Sequence, residues 1–194
     1  MATIEPAKHV ARTEALSAPF TVDDLLEIPD DGFRYELFNG SLLVSPAPTP
    51  VHQAIIYVLQ TILCDAKPAH LTVLSTVNVR ASDSDFYIPD LVVVPKVAVE
   101  SVRLMFRPTD LLLAVEVVSP GTAAADRNLK SAAYAAAGIP AYWRLEPGQG
   151  PALHVYELDG DSYAEPAVFR AGAQASLSVP FAVSFDPGDL TRLP

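Results

Sequence analysis

Residues 111–118 read LLLAVEVV: seven aliphatic side chains and one carboxylate, Glu116. A run this apolar, without polar alternation, predicts a strand buried on both faces, and so a sheet covered by further layers. A lone carboxylate there must be neutralised, be paired, or hold a cation, because stripping it of water is expensive. A second run, FYIPDLVVVP at 86–95, has the same character and carries Asp90 at its start. Two acids on neighbouring buried strands can converge on one hard divalent cation, and oxygen ligands suit Mg²⁺ or Mn²⁺. The plainer alternative makes each acid an ion-pair partner or puts it at a strand end reached by water.

The flanking segments set those strands in a mixed α/β domain. TVDDLLEI at 21–28 predicts a short helix, with Thr21 as N-cap and Asp24 three residues on. FRYELFNGSLLVSP at 33–46 predicts an N-terminal hairpin, since two alternating runs flank Asn39-Gly40. In 49–66, Ile55, Ile56, Leu59, Ile62 and Leu63 recur at helical spacing. HLTVLSTVNVRA at 70–81 alternates like one strand. The alanine-rich 122–138 predicts a helix stopped at Gly138. Two more strands, 139–146 and 152–158, are separated by the turn PGQG, and strand signals weaken after them. Residues 1–19 lack periodicity and are expected to form a loose arm, leaving 20–194 as a single domain.

Composition narrows the function. The 194 residues carry a net charge of −10, which repels polyanions at long range and argues against a strong non-specific DNA binder. The excess is uneven: Arg80 to Arg144 holds seven acids and seven bases. A local site for an anionic substrate is therefore compatible with the total. The single cysteine excludes an internal disulfide, which fits the cytoplasm. No basic segment followed by an apolar run opens the chain, and no apolar stretch approaches the roughly 20 residues of a membrane helix. No glycine-rich phosphate loop or nucleophile-elbow motif is present. One cysteine and four scattered histidines do not make a common structural zinc site.

Further candidates surround the acids. Asp126, Lys130 and Tyr134 are spaced along one helical face. Lys130 either pairs with Asp126 at the surface or reaches back to the carboxylates, where its ammonium could steady an attacking water or a growing negative charge. Glu36, in RYELFNG, is either a third acid for the site or a solvated strand position. His52 opens a helix, where it is structural or hydrogen-bonds a phosphate or a site carboxylate. Arg103 and Arg107, in VRLMFRPTD, are candidate phosphate contacts or ordinary surface residues.

Taken in order, RYELFNG, SPAPTPVH, IPDLVVV, LLLAVEVVSPGT, then the aspartate, lysine and tyrosine of the alanine-rich helix, and GIPAYW resemble the Uma2 family of endonucleases. That family lies within the PD-(D/E)XK superfamily. The likeness runs from about Thr21 to Leu158 and implies a restriction-endonuclease-like core, a central mixed β-sheet flanked by helices. It implies that Pro89-Asp90 is the "PD" element and Glu116 the second acid. Val118 stands where the superfamily usually has its lysine, and Lys130, in the next helix, matches the place where Uma2-like sequences substitute one. Glu36 and His52 match other polar positions of the family. Arg144, Leu145 and Glu146 depart from the apolar pair and aspartate usual after Trp143.

These readings converge on a Mg²⁺- or Mn²⁺-dependent endonuclease hydrolysing DNA. Asp90 and Glu116 are the metal ligands. Lys130 and Glu36 complete the catalytic set, and His52, Arg103 and Arg107 contact substrate. A homodimer is expected, because symmetric pairing is the simplest way to cut both strands. Two alternatives stand: a catalytically inactive module of the same fold that binds a protein or nucleic-acid partner, and a hydrolase of another phosphate ester.

Overall fold

A computed structural model describes residues 19–119, 125–148 and 150–192. The expected N-terminal arm falls outside the described residues, except for Pro19. The architecture is α/β, with a mixed central sheet flanked by helices, as expected.

The chain starts with α1 (Val22–Leu26), closed by a capping box between Thr21 and Asp24. Strands β1 (Arg34–Phe38) and β2 (Ser41–Ser45) form the predicted hairpin, with Asn39 and Gly40 both at positive φ, as a tight two-residue turn requires. Helix α2 (Pro50–Ala66) follows, with Thr49 as N-cap and proline in its first turn. It buries Ile55, Ile56, Leu59 and Leu63.

Two expected strands divide. Residues 70–81 form β3 (Leu71–Ser75) and β4 (Val79–Arg80), broken where Thr76 takes φ +56° and gives its N–H to the Asp90 carbonyl. Residues 86–95 form β5 (Phe86–Tyr87) and β6 (Leu91–Pro95); Pro89, between them, has no N–H for a ladder. In each case one half joins the central sheet and the other a smaller sheet ordered β2-β1-β5-β4. These breaks bring the hairpin across the end of the central sheet.

Helix α3 (Lys96–Ser101) leads to β7 (Leu113–Val117), all of whose residues are buried, as the apolar run predicted. The alanine-rich segment departs from a plain helix: a π-helical turn, Ala125–Leu129, precedes α4 (Lys130–Ala136), and Gly138 ends it at φ +79°. This crossover makes β8 (Ala141–Glu146) parallel to β7. β9 (Ala152–Asp159), β10 (Ser162–Tyr163) and β11 (Ala167–Arg170) complete a seven-stranded sheet. Its order is β10-β9-β8-β7-β6-β3, with β11 also on β9. The tail adds the small hairpin β12 (Ala175–Leu177) and β13 (Val183–Phe185).

Period-two alternation sorts the buried strands between two cores. Leu113, Val115 and Val117 of β7 face the side where α2 and the tail hairpin pack. Ala114 faces the other side, among Tyr87, Tyr134 and Tyr142, and Glu116 shares that face. The carboxylate thus points out of the aliphatic core, towards α4.

Candidate active site

The β6–β7 register pairs Leu91 with Val115 and Val92 with Ala114. One step further sets Asp90 opposite Glu116, so the two acids come together through strand pairing. The Val117 N–H donates to Asp90 Oδ2 at 2.9 Å. Asp90 Oδ1 accepts from Arg34 Nη1 at 3.3 Å and lies 3.1 Å from His52 Nε2. Burial alone would raise the Asp90 pKa. The His52 contact, the Val117 amide and the charge of Lys130 outweigh it and hold the carboxyl below its ordinary value.

Glu36 arrives on β1 from the smaller sheet. Its Oε1 accepts the Ile88 N–H at 3.0 Å. Lys130, the first residue of α4, sets its ammonium between two acids, 3.1 Å from Glu36 Oε2 and 3.0 Å from Glu116 Oε1. The Tyr134 hydroxyl, one helical turn on, donates to the same Glu116 oxygen. Burial first, then the charges of Glu116 and Glu36, push the Tyr134 phenol well above its ordinary pKa, so it stays a donor. Glu36, Asp90, Glu116 and Lys130 are each only 3% exposed.

All four border one cavity of about 240 Å³, whose lining includes Arg34, Ser45, His52 and Ser119. The structure therefore gathers Asp90, Glu116, Lys130, Glu36 and His52. Of the two accounts of Lys130, the one that reaches back to the carboxylates describes this geometry; the side chain of Asp126 lies outside the described residues.

Arg103 and Arg107 are not brought to this cavity. Their segment is tied to β4, through hydrogen bonds from Arg80 N to the Phe106 carbonyl and from Phe106 N to the Asn78 carbonyl. Arg103 is exposed, and Arg107 lines a separate cavity of about 520 Å³ with Arg80.

Three participants were missed as site residues. Arg34 lies two positions before Glu36 on β1, a strand period that puts both on one face. Tyr134 was placed on the Lys130 face without a role. Ser45 lies opposite Arg34 in the hairpin register, a relation that needs the turn to be fixed first. The departure at Arg144 and Glu146 has a local explanation. Arg144 stands beside Glu116 in the β7–β8 register. However, it donates to Glu146 at 3.2 Å and to the Arg127 carbonyl at 3.1 Å, while Arg127 also grips Glu146.

The donor set is oxygen-rich, the chemistry a hard divalent cation selects. Among the described residues, no three acidic, histidine or cysteine side chains are grouped so that they could hold one metal ion. The known ion pairs explain this: Arg34 and His52 occupy Asp90, and Lys130 occupies the space between Glu36 and Glu116.

The fold and this cavity define an α/β protein built on a nuclease scaffold. The crystal structure of a "putative nuclease" of the DUF820 group from Anabaena variabilis superposes with a TM-score of 0.71 at 20% identity, covering 89% of this chain and 98% of the other. The pattern of the Uma2 family, described as "Putative restriction endonuclease", matches residues 22–190, and the chain belongs to that family. No protein of curated function matches it. No helix among the described residues is long and apolar enough to cross a membrane.

Proposed function

We propose that this protein is a metal-dependent endonuclease that hydrolyses phosphodiester bonds in DNA. One observation carries the reading: three carboxylates, Glu36 on β1, Asp90 just before β6 and Glu116 on β7, line a single cavity with one lysine, which pairs with Glu36 and Glu116. Asp90 and Glu116 would hold Mg²⁺ or Mn²⁺, assisted by Glu36. The ion would polarise a phosphate oxygen and lower the pKa of a bound water.

The chain's own side chains do the positioning. Lys130 is fixed by two acids, so its ammonium offers a preorganised positive charge to an attacking water or to a phosphoryl oxygen gaining charge. Tyr134 fixes one oxygen of Glu116, and His52 one oxygen of Asp90, which limits the rotamers of both acids. His52 lies close enough to the cavity to contact substrate as well. A homodimer in the cytoplasm, with two such cavities, would act on both strands of a duplex.

A second reading has its own support. Every acid of the cavity is satisfied by groups of the same chain, as a module that binds a protein or nucleic-acid partner without catalysis would allow. Plasmid DNA incubated with the protein in Mg²⁺ or Mn²⁺, beside Glu116→Gln and Lys130→Met, decides between them. Nicking that both substitutions abolish supports the endonuclease. No nicking, with no change in melting temperature on adding Mn²⁺, supports the module. A metal-dependent melting shift without nicking points to another phosphate ester.

A further inference from the structure

The cavity has two chemically distinct walls. Glu36, Asp90 and Glu116 form the acidic one. The other runs from the end of β2 through Pro46, Ala47 and Pro48 into α2. Ser45 begins it. Its hydroxyl is buried and has no hydrogen-bond partner. Two other buried side-chain atoms among the described residues share that condition, on Trp143 and Arg144, and neither residue lines the cavity.

A buried hydroxyl without a partner is destabilising, unless something outside the fold completes it. Pro46, which follows Ser45, has no N–H to offer. The register sets Ser45 opposite Arg34 on the cavity face of the hairpin. Arg34 uses Nη1 on Asp90, and its side chain keeps 21% exposure. The N-terminus of the 17-residue α2 borders the same space through Thr49 and His52, although Pro50 has no N–H and the His52 and Gln53 amides are already held by Thr49. The positive end of a helix dipole favours an anion there.

We infer that Ser45 and Arg34, beside the positive end of α2, form an anion subsite that holds a phosphodiester through its non-bridging oxygens. The inference rests on the endonuclease reading for the kind of phosphate, but its geometry does not depend on catalysis. It moves substrate binding away from Arg103 and Arg107, and onto groups that adjoin the acids, with Arg34 already in contact with Asp90. A tetrahedral phosphate suits this place, since one oxygen can face the donors while another faces a cation held by the carboxylates. It also explains how a chain of net charge −10 can take a polyanion: the positive groups are few and enclosed.

The test is calorimetric titration of inorganic phosphate into the full chain, in EDTA and again in Mn²⁺, for the native protein and Ser45→Ala. The native protein should bind phosphate in at least one condition. Ser45→Ala should raise the Kd about tenfold, the loss of one hydrogen bond to a charged group. Without phosphate, Ser45→Ala should melt no lower than the native chain, because it removes an unsatisfied hydroxyl. Equal affinities, no phosphate binding in either condition, or a lowered melting temperature would each overturn the subsite. Plasmid cleavage on the same preparations separates the two claims. Cleavage with no dependence on Ser45 leaves the endonuclease and removes the subsite. Ser45-dependent phosphate binding in a protein that cuts no DNA keeps the subsite and removes the endonuclease.

Discussion

Lys130→Met puts the charge balance of the cavity to the hardest test. The ammonium lies 3.1 Å from Glu36 and 3.0 Å from Glu116, and both carboxylates are 3% exposed. At an effective dielectric constant of about 20, one such pair at 4 Å is worth about 4 kcal/mol before desolvation is counted. Methionine matches the length of the stem but carries no charge. The Ile88 amide still donates to Glu36 and the Tyr134 hydroxyl to Glu116, but both of these donors are neutral. Breaking a buried pair by removing one partner costs about 3–5 kcal/mol, because the other charge stays buried. In a chain of this size that is a loss of roughly 6–20 °C in melting temperature. The assay is urea unfolding in EDTA, repeated with Mn²⁺. The variant should recover more stability from Mn²⁺ than the native chain does, since its acids no longer have the lysine. An ion at a hundredfold excess over its Kd contributes about 2.7 kcal/mol. If Lys130→Met is within about 0.5 kcal/mol of native in EDTA, the span of an ordinary surface substitution, Lys130 does not neutralise the acids and the reasoning fails.

Other outcomes follow from the same geometry. Tyr134→Phe keeps the ring against Tyr87 and Tyr142 but removes the donor to Glu116, so urea unfolding should show a loss of about 1.5–3 kcal/mol. Gly40→Ala should destabilise by more than about 1 kcal/mol in the same assay, because φ is +73° and a Cβ there would lie 2.5 Å from the Cβ of Pro19. Burial first, then the Arg144 charge, lower the His154 pKa below its ordinary 6.5. Between the folded pKa and 6.5 the unfolded chain binds more protons, so stability falls as pH drops through that window. His154→Gln should flatten that part of the profile, measured as the difference in urea midpoints between about pH 5.5 and 7.5.

How far the site could be read in the sequence depended on whether its residues broke a local pattern. Glu116 and Asp90 interrupt apolar runs, and the burial that makes those runs conspicuous also makes an acid in them costly. Strand register then turned two anomalies into one site. Arg34 and Ser45 break nothing, since a polar residue in a half-exposed hairpin is ordinary; their importance appears only when the hairpin is laid across the sheet end. Arg103 and Arg107 fail for the opposite reason. Charge made them attractive, but nothing local shows that Phe106 will be stitched to β4. The breaks at Thr76 and Pro89 were underestimated because both flanks read as strand, and alternation does not tell which sheet a strand will join.

The charges in the cavity would also make the two proposed ligands, a divalent cation and a phosphodiester, depend on each other. Glu36, Asp90 and Glu116 carry three negative charges, while Lys130 and Arg34 carry two positive, so these five side chains sum to −1. With a bound divalent cation the same cavity would carry +1. A phosphodiester contributes −1, and the sum becomes zero. Since a buried net charge of either sign is costly, cation and diester should each bind more tightly in the presence of the other. The lysine is what makes this balance possible. Without it the sum is −2, a divalent cation alone neutralises the cavity, and the reason for a phosphate to enter is lost. On the proposed reading, Lys130 would then help select the substrate apart from any role in the chemical step. In Lys130→Met, Mn²⁺ affinity should rise while the enhancement of phosphate binding by Mn²⁺ disappears.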